Sequence, residues 1–127
     1  MPADFTLAYV RVFVRDFDRA VSFYTDALGM KLAQRSDEFG WAELATGDAK
    51  LALERVAPSD AEGEALVGRF VGVSLAVADV EATYARLRER GVAFEAPPEH
   101  MPWGGVLAHF RDPDGNVLTL VSAASSR

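Results

Sequence analysis

The sequence predicts an α+β fold in which a single domain, residues 1–127, is made of two tandem βαβββ copies. Three observations carry this. A strand, a helix and three further strands can be read twice along the chain. Matching residues recur at about half the chain length: Val14 and Asp16 answer Val77 and Asp79, 63 residues on, and "LALE" at 51–54 answers "LTLV" at 118–121. An offset near half the chain length marks an internal duplication. Finally, neither copy alone can bury a face of its own sheet, so the two must pack together or on a partner.

The first copy is assigned to residues 5–56. "TLAYVRVFV" at 6–14 is rich in β-branched and aromatic residues and reads as a strand. Asp16 or Asp18 then offers an N-cap oxygen. Phe17, Val21, Tyr24 and Leu28 fall on one helical face, and Gly29 is placed to close the helix in a left-handed conformation. Strands follow at 30–36, 39–46 and 49–56, the last two joined by the turn "TGD". The polar stretch 57–68, "APSDAEGEALVG", is the connector.

The second copy is assigned to 69–122, with 123–127 as a tail and "SAASSR" expected to be disordered. "RFVGVSLAV" at 69–77 is a strand, Asp79 a cap, and Val80, Tyr84 and Leu87 the buried helix face before Gly91. Strands at 92–96, 104–110 and 116–122 complete the repeat. Asp112-Pro113-Asp114-Gly115 suits a type I turn followed by a glycine with positive φ, and neither aspartate needs a catalytic role. Trp41 is matched with Trp103 at an offset of 62.

Composition excludes several function classes. Half of the residues are apolar and a quarter charged, which is ordinary for a globular domain. The net charge of −6 argues against nucleic acid, since phosphate binding needs clustered Lys and Arg. The densest basic run, "ARLRERG" at 85–91, carries Glu89 and is expected to be a solvated helix face. No run of 18 apolar residues exists, and "FTLAYVRVFV" lacks the basic leader of a secretion signal, so neither membrane insertion nor export is expected. The absence of cysteine removes disulfides, thiolate nucleophiles and cysteine metal sites, and points to the cytoplasm.

Two βαβββ copies, with "VRDFDRAVSFYTDALGMKL" around the first helix and "FRDPDGNVLTLV" at the last hairpin, resemble the vicinal oxygen chelate superfamily. This group comprises glyoxalase I, extradiol dioxygenases, fosfomycin-resistance transferases, methylmalonyl-CoA epimerase and the bleomycin-resistance proteins. The resemblance covers about residue 6 to 122 and implies curled mixed sheets around a cup-shaped cavity. It also implies a metal held on the first and last strand of each copy, at positions that map to Tyr9, Ala52, Gly72 and Thr119. A divalent ion there wants His, Glu or Gln; Gly and Ala supply nothing, and Thr and Tyr are poor substitutes. No metal and no cofactor is therefore expected, which counts against metal-dependent lyase or dioxygenase chemistry.

The remaining cup residues define the candidate site. Alternation places Tyr9, Arg11 and Phe13 on one strand face. Glu54 shares the face of Ala52, so Arg11 either forms a buried pair with Glu54 or meets an anionic or carbonyl-bearing ligand. Trp41 and Trp103 sit beside glycines and can stack on a planar ligand or plug the sheet ends. Gly72, Ser74 and Ala76 form a run of small residues that leaves space, and Thr119 lies on the last strand. Glu54 is a weak acid/base candidate, and with His100 or His109 it could make a displaced metal site. No nucleophile elbow, phosphate loop or dinucleotide fingerprint is present.

Three functions fit these residues. The leading one is a metal-independent protein binding a small planar or anionic molecule in the cup. The alternatives are a lyase, isomerase or dioxygenase with a displaced site, and a non-catalytic interaction module with a closed cavity. A homodimer is expected, because half-open sheets leave apolar surface to cover.

Overall fold

The computed structural model describes residues 5–123. The chain divides into two compact units, with the division between Val67 and Gly68. Each unit is α+β and built on one mixed sheet.

In the first unit β1 (Tyr9–Val14) leads into α1 (Phe17–Ser22), β2 (Lys31–Ser36), β3 (Trp41–Ala45) and β4 (Lys50–Arg55), in the sheet order β1-β4-β3-β2. β1 runs parallel to β4, and the other neighbours are antiparallel. Period-two alternation sends Val12 and Val14 of β1, Ala42 and Leu44 of β3, and Leu51 and Leu53 of β4 to the same side, where all six are buried. α1 covers that side with Phe17, Ala20 and Val21. Each fully buried aliphatic side chain contributes roughly 1.5–3 kcal/mol. Asp16 caps α1 by accepting from Arg19 N at 3.2 Å.

The first helix does not continue as one regular α-helix to Leu28. A π-helical turn spans Phe23–Ala27, with Leu28 N bonding Phe23 O, and Gly29 follows at φ +79°. The wider turn carries Tyr24 into the core, fully buried, and leaves Leu28 only half-buried. Over the outer end of this core Arg35 lies 5.1 Å from the Phe17 ring and pairs with Asp37 and Asp18. The hydrogen bond that Arg35 donates to Asp37, with the negative charge of both aspartates, raises the guanidinium pKa above its ordinary value. The connector is also not featureless: Asp60 caps a short helix, α2 (Ala61–Glu64), by accepting from Gly63 N.

The second unit repeats the plan with β5 (Phe70–Ala76), α3 (Val80–Glu89), β6 (Ala93–Phe94), β7 (Glu99–His100), β8 (Val106–Arg111) and β9 (Val117–Ser122). Its order is β5-β9-β8-β6, with β7 also paired to β8. The expected strand at 92–96 is only two residues long, because Pro97 and Pro98 follow and cannot donate to a ladder. On α3 the buried positions are Val80, Thr83 and Leu87. Tyr84 is half-buried instead: it meets Phe94 edge-on at 4.7 Å and its hydroxyl accepts from Arg88.

The last hairpin is held by one carboxylate. Asp112 is buried and its side chain accepts from Asp114 N, Asn116 N and Asn116 Nδ2, all within 2.9–3.0 Å. Gly115 N closes the turn on Asp112 O, and Gly115 takes φ +88°. Asn116, fully buried, accepts from Gly68 N at 2.8 Å and so ties the start of β5 to the hairpin. Ser122, read both as the end of the strand at 116–122 and as the first residue of "SAASSR", belongs to β9; the tail beyond residue 123 lies outside the described residues.

Candidate functional site

The side of the first sheet opposite α1 carries most of the expected site. Strand register puts Arg11 beside Ala52 and Phe13 beside Glu54 on the β1–β4 pair. On the β3–β4 pair it puts Trp41 beside Glu54, Glu43 beside Ala52 and Ala45 beside Lys50. Tyr9, Arg11, Phe13, Trp41 and Glu54 are therefore brought onto one face. Tyr9 meets Trp41 edge-to-face, with ring centroids 5.1 Å apart.

Arg11 and Glu54 do pair, at 3.2 Å, but the pair is not buried: half of the Arg11 side chain and a third of that of Glu54 remain exposed. The guanidinium also lies 5.4 Å from the Phe13 ring. A guanidinium on a half-open sheet keeps its water while its stem covers apolar surface, so the fold does not need to desolvate it.

Glu43 also lies on this candidate face and was not among the residues expected from the sequence. Its side chain is 14% exposed, accepts the Trp41 indole Nε1–H at 2.8 Å, and lies 3.5 Å from Lys50 Nζ. Alternation along "FGWAELAT" already puts Trp41 and Glu43 on one face, so the signal was present. Ala52, fully buried, sits between Arg11 and Glu43.

In the second unit Ser74 pairs in register with Thr119, and Thr119 with His109. These three positions correspond to Arg11, Ala52 and Glu43 of the first unit. His109 Nδ1 lies 2.8 Å from Thr119 Oγ1, and the His109 ring meets Phe70 edge-on at 5.8 Å. Gly72 has φ +83° inside the irregular stretch of β5 between Phe70 and Ser74, where the register with β9 shifts. Only glycine adopts that conformation without strain, so Gly72 has a backbone reason besides an emptied site.

Trp103 is not the counterpart of Trp41. Trp41 is on β3 opposite Glu54, and the equivalent place in β8, opposite Val121, is held by Leu107. Trp103 lies in the turn before β8, closed by Met101 N to Gly105 O, with its ring folded against Gly105 and more than half exposed. His100 is also apart from this row: it pairs with Glu81 of α3 on an exposed surface.

The family's metal positions hold a phenol, two residues without donors and a threonine hydroxyl that is already bonded to His109. That donor set does not fit a divalent ion. Among the described residues, no group of three His, Asp or Glu side chains is gathered as metal ligands. No described helix is long and apolar enough to cross a membrane.

Comparison with known proteins agrees with this architecture. The model of the glyoxalase/bleomycin resistance protein/dioxygenase superfamily matches residues 6–120. The chain is 35% identical to the uncharacterized protein YraH of Bacillus subtilis (strain 168), over 90% of this chain and 95% of that one. It is 28% identical to a probable lactoylglutathione lyase of Synechocystis sp., covering 95% and 98% of the two chains. Among solved structures it is similar to TnmS3, an antibiotic binding protein from Streptomyces sp. CB03234. That match has 35% identity, a TM-score of 0.78, and coverage of 98% of this chain and 100% of the other. By its matched length, its duplicated fold and these relatives, the chain belongs to the glyoxalase/bleomycin resistance protein/dioxygenase superfamily.

Proposed function

We propose that this protein binds a small planar or anionic molecule, without a metal, on the face of its first sheet that carries Tyr9, Arg11, Trp41 and Glu54. The observation that carries this reading is the Tyr9–Trp41 edge-to-face pair beside Arg11 and Glu54, on the sheet face where Ala52 stands at a family metal position. Aromatic rings in a fixed mutual orientation give a ligand large contact area at little entropy cost. Ser74, Thr119 and Trp103 are the candidate ligand residues of the second repeat's own sheet and the turn before it. Similarity to TnmS3 makes an antibiotic a fitting ligand class. Exposed Phe5, Leu7, Phe39 and Phe70 support a homodimer, and a cytoplasmic location fits a chain without cysteine.

The test is tryptophan quenching by a panel of aromatic antibiotics and metabolites, with wild type, Trp41→Phe and Trp103→Phe compared. Saturable quenching that Trp41→Phe abolishes, unchanged by chelator, supports the reading. A panel without saturable quenching overturns it.

A second reading, an enzyme with displaced acid/base groups, draws on the His109–Thr119 contact and on the probable lyase among the relatives. Its acid/base groups would be Glu54, Glu43 or His109. Turnover that Glu54→Gln or His109→Gln abolishes would establish it in place of simple binding.

A further inference from the structure

We infer that the first sheet's ligand face selects an uncharged aromatic molecule over an anionic one, and that Glu54 and Glu43 set this selection. The inference rests on the binding reading above and narrows its ligand class.

Around Ala52 the face carries two cations and two carboxylates, and each cation has a carboxylate partner. Arg11 pairs with Glu54 at 3.2 Å and Lys50 with Glu43 at 3.5 Å. Register places Arg11 and Glu43 on either side of Ala52 and Glu54 between Phe13 and Trp41. An anion brought to the Arg11 guanidinium is thus brought to the Glu54 carboxylate as well. In water that repulsion is screened. When a flat ligand displaces the water, the effective dielectric falls and the repulsion grows several-fold. Lys31, in register with Ala45 on the outer strand, lies two strands from β4 and roughly 10 Å or more from Ala52, about one Debye length away.

The aromatic groups point the same way. Glu43 accepts the Trp41 indole N–H, so the indole presents its ring to a ligand while its donor is occupied. Tyr9 holds that ring edge-on. The face thus offers ring surface and mutually neutralised charge. That combination favours a neutral planar ligand, because an anion gains no uncompensated cation in exchange for its hydration.

The experiment uses two probes that share one ring system, N-phenyl-1-naphthylamine (neutral) and 8-anilinonaphthalene-1-sulfonate (anionic). Binding is read by energy transfer from tryptophan in Trp103→Phe protein, where Trp41 is the one tryptophan left. The neutral probe is expected to bind about tenfold more tightly than the sulfonate. Glu54→Gln should tighten the sulfonate several-fold more than it changes the neutral probe, so that the ratio of the two falls, and Arg11→Gln added to it should remove that gain. Glu43→Gln should act in the same direction through Lys50, since glutamine still accepts from Trp41. Equal or tighter sulfonate binding by the parent protein, or an unchanged probe ratio in Glu54→Gln, would overturn the inference and leave the binding reading standing. Failure of both probes to bind would overturn the binding reading and the inference with it.

Discussion

Glu43 accepts the indole N–H of Trp41 at 2.8 Å, and the two residues stand on the same face of β3 with Lys50 on the carboxylate's other side. Because the Glu43 side chain is largely buried, this bond is made where water competes poorly for either partner.

Replacing Glu43 by alanine should therefore cost more than an ordinary surface change. A hydrogen bond to a charged group is worth about 1.5–3 kcal/mol, and the Trp41 donor would be left without its acceptor. Urea unfolding should show a loss in this range, and Trp41 emission should shift. An alanine variant within about 0.5 kcal/mol of wild type would show that the bond is already satisfied by solvent.

Asn116 works with the Asp112 carboxylate in holding the last hairpin. Asn116→Ala removes the side-chain bond to Asp112 and strands Gly68 N, so a loss of about 2–3 kcal/mol is expected. Gly115→Ala forces a side chain into φ +88° and should cost at least about 1 kcal/mol. Thermal unfolding of both variants checks the pair.

In the core, Leu53→Ala should destabilise by about 2–5 kcal/mol, since Leu53 is fully buried on β4 between Val12 and Ala42. Chemical denaturation at constant m-value measures it.

Arg35 offers a check with a defined sign. Its folded-state pKa is raised, chiefly by the hydrogen bond to Asp37, so its contribution is fully present below the ordinary arginine pKa and is lost only as pH rises through the higher folded value. The stability difference between wild type and Arg35→Gln should thus stay constant from neutral to mildly alkaline pH. A difference that fades in that interval would mean another group titrates with the arginine.

Metal should make no difference to folding. The melting temperature is expected to stay constant on addition of chelator or of iron, nickel, zinc or manganese, because the residues at the family's positions, Tyr9, Ala52, Gly72 and Thr119, do not form a ligand set. One ion per chain by elemental analysis, or a large stabilisation by a single metal, would contradict this and favour the displaced-site enzyme.

The site was legible as far as a single strand can show it. Period-two alternation grouped Tyr9 with Arg11 and Phe13, and Ala52 with Glu54, and the structure keeps both groups. The same rule applied to "WAE" would have added Glu43. The match of Trp41 to Trp103 failed for a different reason. The two copies differ in length between their first and last strands, so an offset that holds at Val14 and Val77 is wrong by several residues at β3 and β8.

From the sequence alone came the duplication, the order of strands and helices, the cap and turn residues, and the two faces of each strand. These follow from local rules of period, capping and φ that neighbouring residues satisfy among themselves. The tertiary structure decided which residues of different strands become neighbours, because register depends on pairing between segments far apart in the chain. Pairing β1 with β4 across some forty residues sets Arg11 against Glu54, in contact but still half in water, and pairing β3 with β4 sets Glu43 against Ala52. In β5 the irregular ladder at Gly72 brings Ser74 level with Thr119. Side-chain periodicity constrains each strand's face, but only the hydrogen-bonded ladder fixes what lies beside it.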